Sequence, residues 1–79
     1  MPSYLQQARH HVARIQYLHK YARVRAYTQA SPHYQALTDL ALRAERSTSR
    51  TSQRDSAVIT ALIHSIEPLM AEIRLAKIK

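Results

Sequence analysis

The sequence predicts an all-α fold, and three observations carry that expectation. Glycine is absent from the 79 residues, so the tight hairpin turns of β-rich folds lack the residue that tolerates positive φ. Apolar residues recur at steps of three and four along three long stretches, the period of a helix with one buried face. Serine or threonine stands ahead of each stretch, where a side-chain oxygen can cap the bare amides of a first turn.

The first stretch opens with Ser3 and Gln6, the spacing of a capping box. Leu5, Ala8, Val12, Ile15, Leu18, Ala22 and Ala26 then keep the helical step, and nothing interrupts it before Ala30-Ser31-Pro32. Helix 1 is therefore expected over residues 3–29, roughly 40 Å at about 1.5 Å per residue. Ser31 makes a good N-cap, and Pro32 suits the first helical position because its missing N–H would be unpaired there anyway. Helix 2 is expected over 32–46, burying Tyr34, Leu37, Leu40, Ala41 and Ala44.

Residues 47–54 are rich in serine and threonine, which compete for backbone bonds and favour loops. Beyond them Ser52 and Asp55 have capping-box spacing, and Val58, Leu62, Ile66, Leu69 and Ile73 form the next stripe. Helix 3 is expected over 55–77, with a kink or break near 64–68 because Pro68 removes an amide and crowds the preceding turn. Lys77 and Lys79 complement the negative pole at its end. Two architectures satisfy this reading. If 47–54 is a linker the chain is a three-helix bundle; if it is helical, helices 2 and 3 fuse into one rod and the molecule becomes a long helical hairpin with a kinked C-terminal helix. Thr48, Thr51 and Asp55 would keep the spacing of that rod but not its hydrophobicity, which favours the bundle.

Composition narrows function by exclusion. With no glycine there is no P-loop and no dinucleotide-binding fingerprint. With no cysteine there is no disulfide framework, thiolate nucleophile or Cys-ligated zinc. A chain of this size buries only about 60% of its unfolded surface, so help from a partner is expected. No unbroken apolar run of membrane-spanning length occurs, and the first residues lack a secretory apolar core. The acid-free start overlaps in composition with mitochondrial transit peptides, but those favour serine over the tyrosine and histidine found here. A cytoplasmic protein without a membrane span is expected.

Charge is uneven. The net formal charge is +7, and five basic residues precede Asp39, the first acid: Arg9, Arg14, Lys20, Arg23 and Arg25. All five tyrosines and four of the five histidines lie before residue 35, so the working surface is expected there. Opposite its core face, helix 1 carries a second stripe of His10, Ala13, Tyr17, Tyr21 and Val24. Either helix 1 is central and half-buries its tyrosines with wet hydroxyls, or the stripe docks another molecule. Tyrosine and arginine concentrate binding energy at interfaces, so His10, Arg14, Tyr17, Tyr21, Val24 and Arg25 are the candidate contacts to another protein or to a second copy of the chain.

Arg43, Arg46, Arg50 and Arg54 would form one ridge if the helix ran through the Ser/Thr tract, and such a ridge could follow a phosphate backbone. A solvated face is the commoner fate of charge at this spacing. No helix-turn-helix, zinc-finger or RNA-binding signature accompanies the ridge, so nucleic acid would be held by phosphate contacts without base readout. The histidines do not have metal-ligand spacing: His10 and His11 are adjacent and no pair is four apart. His19 falls on the core stripe and His64 on the exposed side of helix 3. Neither a nucleophile elbow nor paired carboxylates are present. No catalytic residue, metal or cofactor is expected.

At Ser31-Pro32-His33-Tyr34-Gln35-Ala36-Leu37 the chain resembles the turn and second-helix opening of the small co-chaperones of type III secretion needle subunits. That family's second helix commonly opens with proline, two residues, then Tyr-Gln; here only His33 separates Pro32 from Tyr34. The resemblance extends loosely over residues 5–46, and the basic charge and the segment 55–79 depart from the family's pattern. It implies a helical hairpin with its turn at Pro32, Tyr34 and Gln35. It also implies a non-enzymatic protein that binds a larger helical-repeat co-chaperone through helix 1 and keeps the needle subunit unassembled.

Overall fold

The computed structural model describes residues 3–22 and 25–78. It is an all-α three-helix bundle of α1 (Tyr4–Tyr21), α2 (Ala26–Arg46) and α3 (Arg50–Ile78), each packed against the other two. The fused rod does not form, because the chain leaves helical geometry at Ser47 and resumes it at Arg50. Extents of 44 × 20 × 15 Å reflect one long helix lying along two shorter ones.

The expected capping box is present: the Ser3 hydroxyl accepts from the Gln6 amide at 3.1 Å and the Gln6 side chain accepts from the Ser3 amide at 3.0 Å. Helix 1 is shorter than the expected 3–29, ending at Tyr21, where the Ala22 N–H closes the last turn on Leu18. Helix 2 starts at Ala26 rather than at Pro32. Burial explains the difference. Ala26 and Ala30 are fully enclosed, so the residues expected to end helix 1 instead form the first core face of α2.

Ser31 and Pro32 therefore lie inside α2, not at its start, and Pro32, Tyr34 and Gln35 do not form the turn that the family resemblance implies. Pro32 has no amide for the carbonyl of Thr28, but both residues are exposed, and water can replace the missing donor. Pro68 and His64 repeat this arrangement on α3. The break expected near 64–68 does not occur, and α3 is helical through Pro68.

Helix α3 begins before the expected Ser52/Asp55 start. Ser49 occupies the cap, its hydroxyl accepting from the Ser52 amide at 3.5 Å, and the Gln53 side chain donates to the Ser47 carbonyl at 2.8 Å. The linker thus shrinks from 47–54 to 47–49. The Ser56 hydroxyl donates to the Ala41 carbonyl of α2 at 3.2 Å, a tie between the two helices. In this rotation of α3 Ile59, Ile66, Met70 and Ile73 fill the core and Leu62 is half-buried, whereas Val58 is 39% exposed and Leu69 only half-buried. The expected stripe is right at Ile66 and Ile73 and one position off at Val58.

In the other helices the core follows expectation: Ala8, Val12, Ile15 and Leu18 from α1 meet Leu37, Leu40 and Ala44 from α2. Leu5, Ala22, Tyr34 and Ala41 pack half-buried around them. By length and composition Arg50–Ala76 is apolar enough to cross a membrane, with a mean hydropathy of 1.3 over its most apolar window. The Ile59-to-Ile73 face of the same helix is the one that closes the bundle.

Candidate functional site

The outward side of α1 carries the candidate site. Its core face turns Ala8, Val12, Ile15 and Leu18 inward, and the helical repeat sets Tyr17 and Tyr21 on the outward side, with His10 and Arg14 at its edge toward His33 of α2. All four are exposed, as is Arg25 at the entry to α2. Tyr17 is 52% and Tyr21 61% exposed. Val24, the remaining member of the expected set, lies outside the described residues. The other tyrosines behave differently: Tyr4, Tyr27 and Tyr34 pack against the core.

Geometry joins the exposed pair. The Tyr17 and Tyr21 rings are 5.0 Å apart between centroids and inclined by 47°, within the range of favourable aromatic contacts. The guanidinium of Arg14 sits 5.3 Å from the Tyr17 centroid and the ammonium of Lys20 5.4 Å from that of Tyr21, each a cation–π contact. Lys20 was not among the sequence candidates, although its place beside Tyr21 on an acid-free helix was a readable signal. Among the described residues no carboxylate lies within ion-pair distance of any arginine or lysine; the ion pairs present involve histidines.

No protein family, curated protein or solved structure matches this chain. The site therefore rests on its own geometry.

Arg43, Arg46, Arg50 and Arg54 are all exposed, but the single ridge expected of them is not continuous. The turn at 47–49 leaves Arg43 and Arg46 at the end of α2 and Arg50 and Arg54 at the start of α3. The first two suit a helix C-terminus and the last two oppose the positive pole of a helix N-terminus.

Sequence spacing missed the histidines. His11 on α1 and His33 on α2 approach until their Nδ1 atoms are 2.8 Å apart, and the His10 ring stands 5.5 Å from one and 6.5 Å from the other. Burial pushes the His11 imidazole below its ordinary pKa, helped by His33 and His10. Burial, with Arg14 and His10, does the same to His33. His19, expected on the core stripe as a satisfied or partly exposed residue, is exposed and touches Glu72 of α3 through its Nε2. It lies at the edge of the α1–α3 seam, where a carboxylate can reach it. His64 is exposed as expected and lies 3.6 Å from Glu67 on its own helix. Among the described residues no three histidine or carboxylate side chains gather closely enough to hold a metal ion.

Proposed function

We propose that the chain is a non-enzymatic binding module that docks an acidic surface of a partner protein through the His10–Arg14–Tyr17–Tyr21 side of α1, with Lys20 and Arg25 at its rim. The observation that carries this reading is the exposed, cation-flanked Tyr17–Tyr21 pair. Packing the two rings on each other reduces the side-chain entropy lost on association, and their hydroxyls remain available as donors. Among the described residues no carboxylate neutralises Arg14 or Lys20, so acids on a partner would complete their coordination. The resemblance to needle co-chaperones, if functional, would make that partner a helical-repeat protein.

A photo-crosslinking amino acid at position 17 tests the reading. One defined protein adduct is expected, insensitive to nuclease and absent when the probe is moved to the exposed Ala61 on α3. No adduct, or equal labelling from both positions, would reject it.

The second reading is nucleic-acid binding through phosphate contacts, favoured by the exposed, unpaired arginines at the α2–α3 corner. The tyrosines support it less, because cations and each other already occupy ring faces that a stacked base would need. A retained gel shift with an oligonucleotide, steeply weakened by salt and flattened by Arg50→Ala with Arg54→Ala, is its signature.

A further inference from the structure

The histidine contact between α1 and α2 takes no part in the docking face, apart from His10, and it joins residues 22 apart in sequence. Two imidazole nitrogens at 2.8 Å are at hydrogen-bond distance. A neutral imidazole has one N–H and one lone pair, so a bond between two Nδ1 atoms requires one ring to donate there and the other to accept. We propose that His11 and His33 form a proton-operated latch between α1 and α2, closed while the rings share a single proton between their facing nitrogens and released when both rings are protonated.

The proton count follows from the chemistry. In the neutral pair the donor ring has its hydrogen on Nδ1 and the acceptor ring has its hydrogen on Nε2. A first added proton goes to the free Nε2 of the donor ring, leaving an imidazolium that donates to a neutral partner, so the bond itself survives while burial makes the charge costly. A second has only the acceptor's Nδ1 lone pair to occupy. It replaces the bond with two facing N–H groups on two cations.

The surroundings resist that second proton. On α1 the charged or titratable neighbours are His10 and Arg14. On α2, Asp39 and Arg43 border the cleft that His11 shares with Gln7, Ala36 and Leu40, one acid balanced by one base. The cleft His11 forms with Gln6, Gln7 and His10, and the one it forms with Gln7 and α2, have no α3 residue in their lining. Burial, joined by His33 and His10 for His11 and by Arg14 and His10 for His33, holds both imidazoles below their ordinary value of 6.5. A pKa lower in the folded than in the unfolded chain adds stability that is fully present above the unfolded value and is lost as pH falls through the folded one. The latch therefore opens on acidification, below pH 6.5.

Urea unfolding of the whole chain between pH 8 and pH 5, followed by circular dichroism, tests this with His11→Gln, His33→Gln and the double variant. Glutamine keeps a polar side chain but does not titrate here. His19 beside Glu72 and His64 beside Glu67 are common to all the proteins, so the readout is the difference between parent and variant. The parent is expected to lose more stability on acidification, about tenfold in folding constant for each pKa unit by which a ring is held down. Each single variant should lie closer to the double variant than to the parent, since either one removes the latch and leaves only the burial of the remaining ring.

Parallel loss in parent and variants would overturn the proposal. Nitrogen-15 NMR of the imidazoles in the unaltered chain gives the second measurement, should a variant fail to fold. Opposite tautomers at pH 8 and coupled titration below 6.5 are expected, whereas two rings titrating independently near 6.5 would sink the latch.

Discussion

His19 on α1 and Glu72 on α3, 53 residues apart, meet side chain to side chain across the seam between the first and last helices. Both are exposed, and exposed ion pairs contribute little because water and salt screen them. A double-mutant cycle with His19→Ala and Glu72→Ala should give a coupling of about 0–1 kcal/mol, shrinking as salt is raised. A coupling well above this would mean that the pair, and not the apolar seam beneath it, fixes α3 on α1.

The rotation of α3 can be tested directly. Ile59 and Ile66 are enclosed while Val58 is not, so Ile66→Ala should cost about 2–5 kcal/mol and Val58→Ala under about 1 kcal/mol in denaturant unfolding. Equal losses from Val58→Ala and Ile66→Ala would show that α3 is turned from this rotation.

Two serines distinguish the helix starts. Ser3→Ala removes a formed capping box and should cost about 1 kcal/mol. Ser31→Ala, which would be equally costly if a helix began at Pro32, replaces an interior residue of α2 with a better helix former and should change stability by no more than about 0.5 kcal/mol. Thermal melts of the two variants make the comparison.

Pro32 interrupts a hydrogen-bond ladder that is otherwise helical on both sides. Pro32→Ala restores a donor for the Thr28 carbonyl and should raise stability, by up to about 3 kcal/mol less the entropy that proline removes from the unfolded chain. A drop in melting temperature would mean that Pro32 makes a contact that the backbone does not reveal.

Tyr17→Ala with Tyr21→Ala should leave helicity intact and cost under about 1 kcal/mol, because the rings are more than half exposed and touch each other more than the core. If circular dichroism showed the double variant unfolded, the stripe would be structural and the docking face misassigned.

The all-α class, the core of α1 and the capping box at Ser3 were legible because they depend on local rules: no glycine, a 3.6-residue period, a serine three residues before a glutamine. The turn between α1 and α2 was not. Ala22 and Arg25, which flank it, are ordinary helix formers, while Ser31-Pro32 has every local mark of a helix start. What decided the matter was tertiary: enclosing Ala26 and Ala30 in the core of α2.

One misplaced turn then hid the histidine pair. With a turn at Pro32, His33 would face the end of helix 1 near Thr28; with the turn before Ala26, it faces His11. The exposed tyrosines were legible because their register depends only on α1. The start of α3 was misplaced for a simpler reason, since Ser52 and Asp55 have capping-box spacing while the cap that forms is Ser49, inside the Ser/Thr tract.

The lack of carboxylate partners for the described arginines and lysines has a consequence of its own. With +7 overall and its acids paired with histidines or standing apart, the molecule draws its counterions from the medium. Multivalent anions such as sulfate should raise its melting temperature beyond what chloride achieves at equal ionic strength, through local binding added to general screening. In dilute buffer the same surface should disfavour self-association, keeping the chain dispersed until something anionic gathers it.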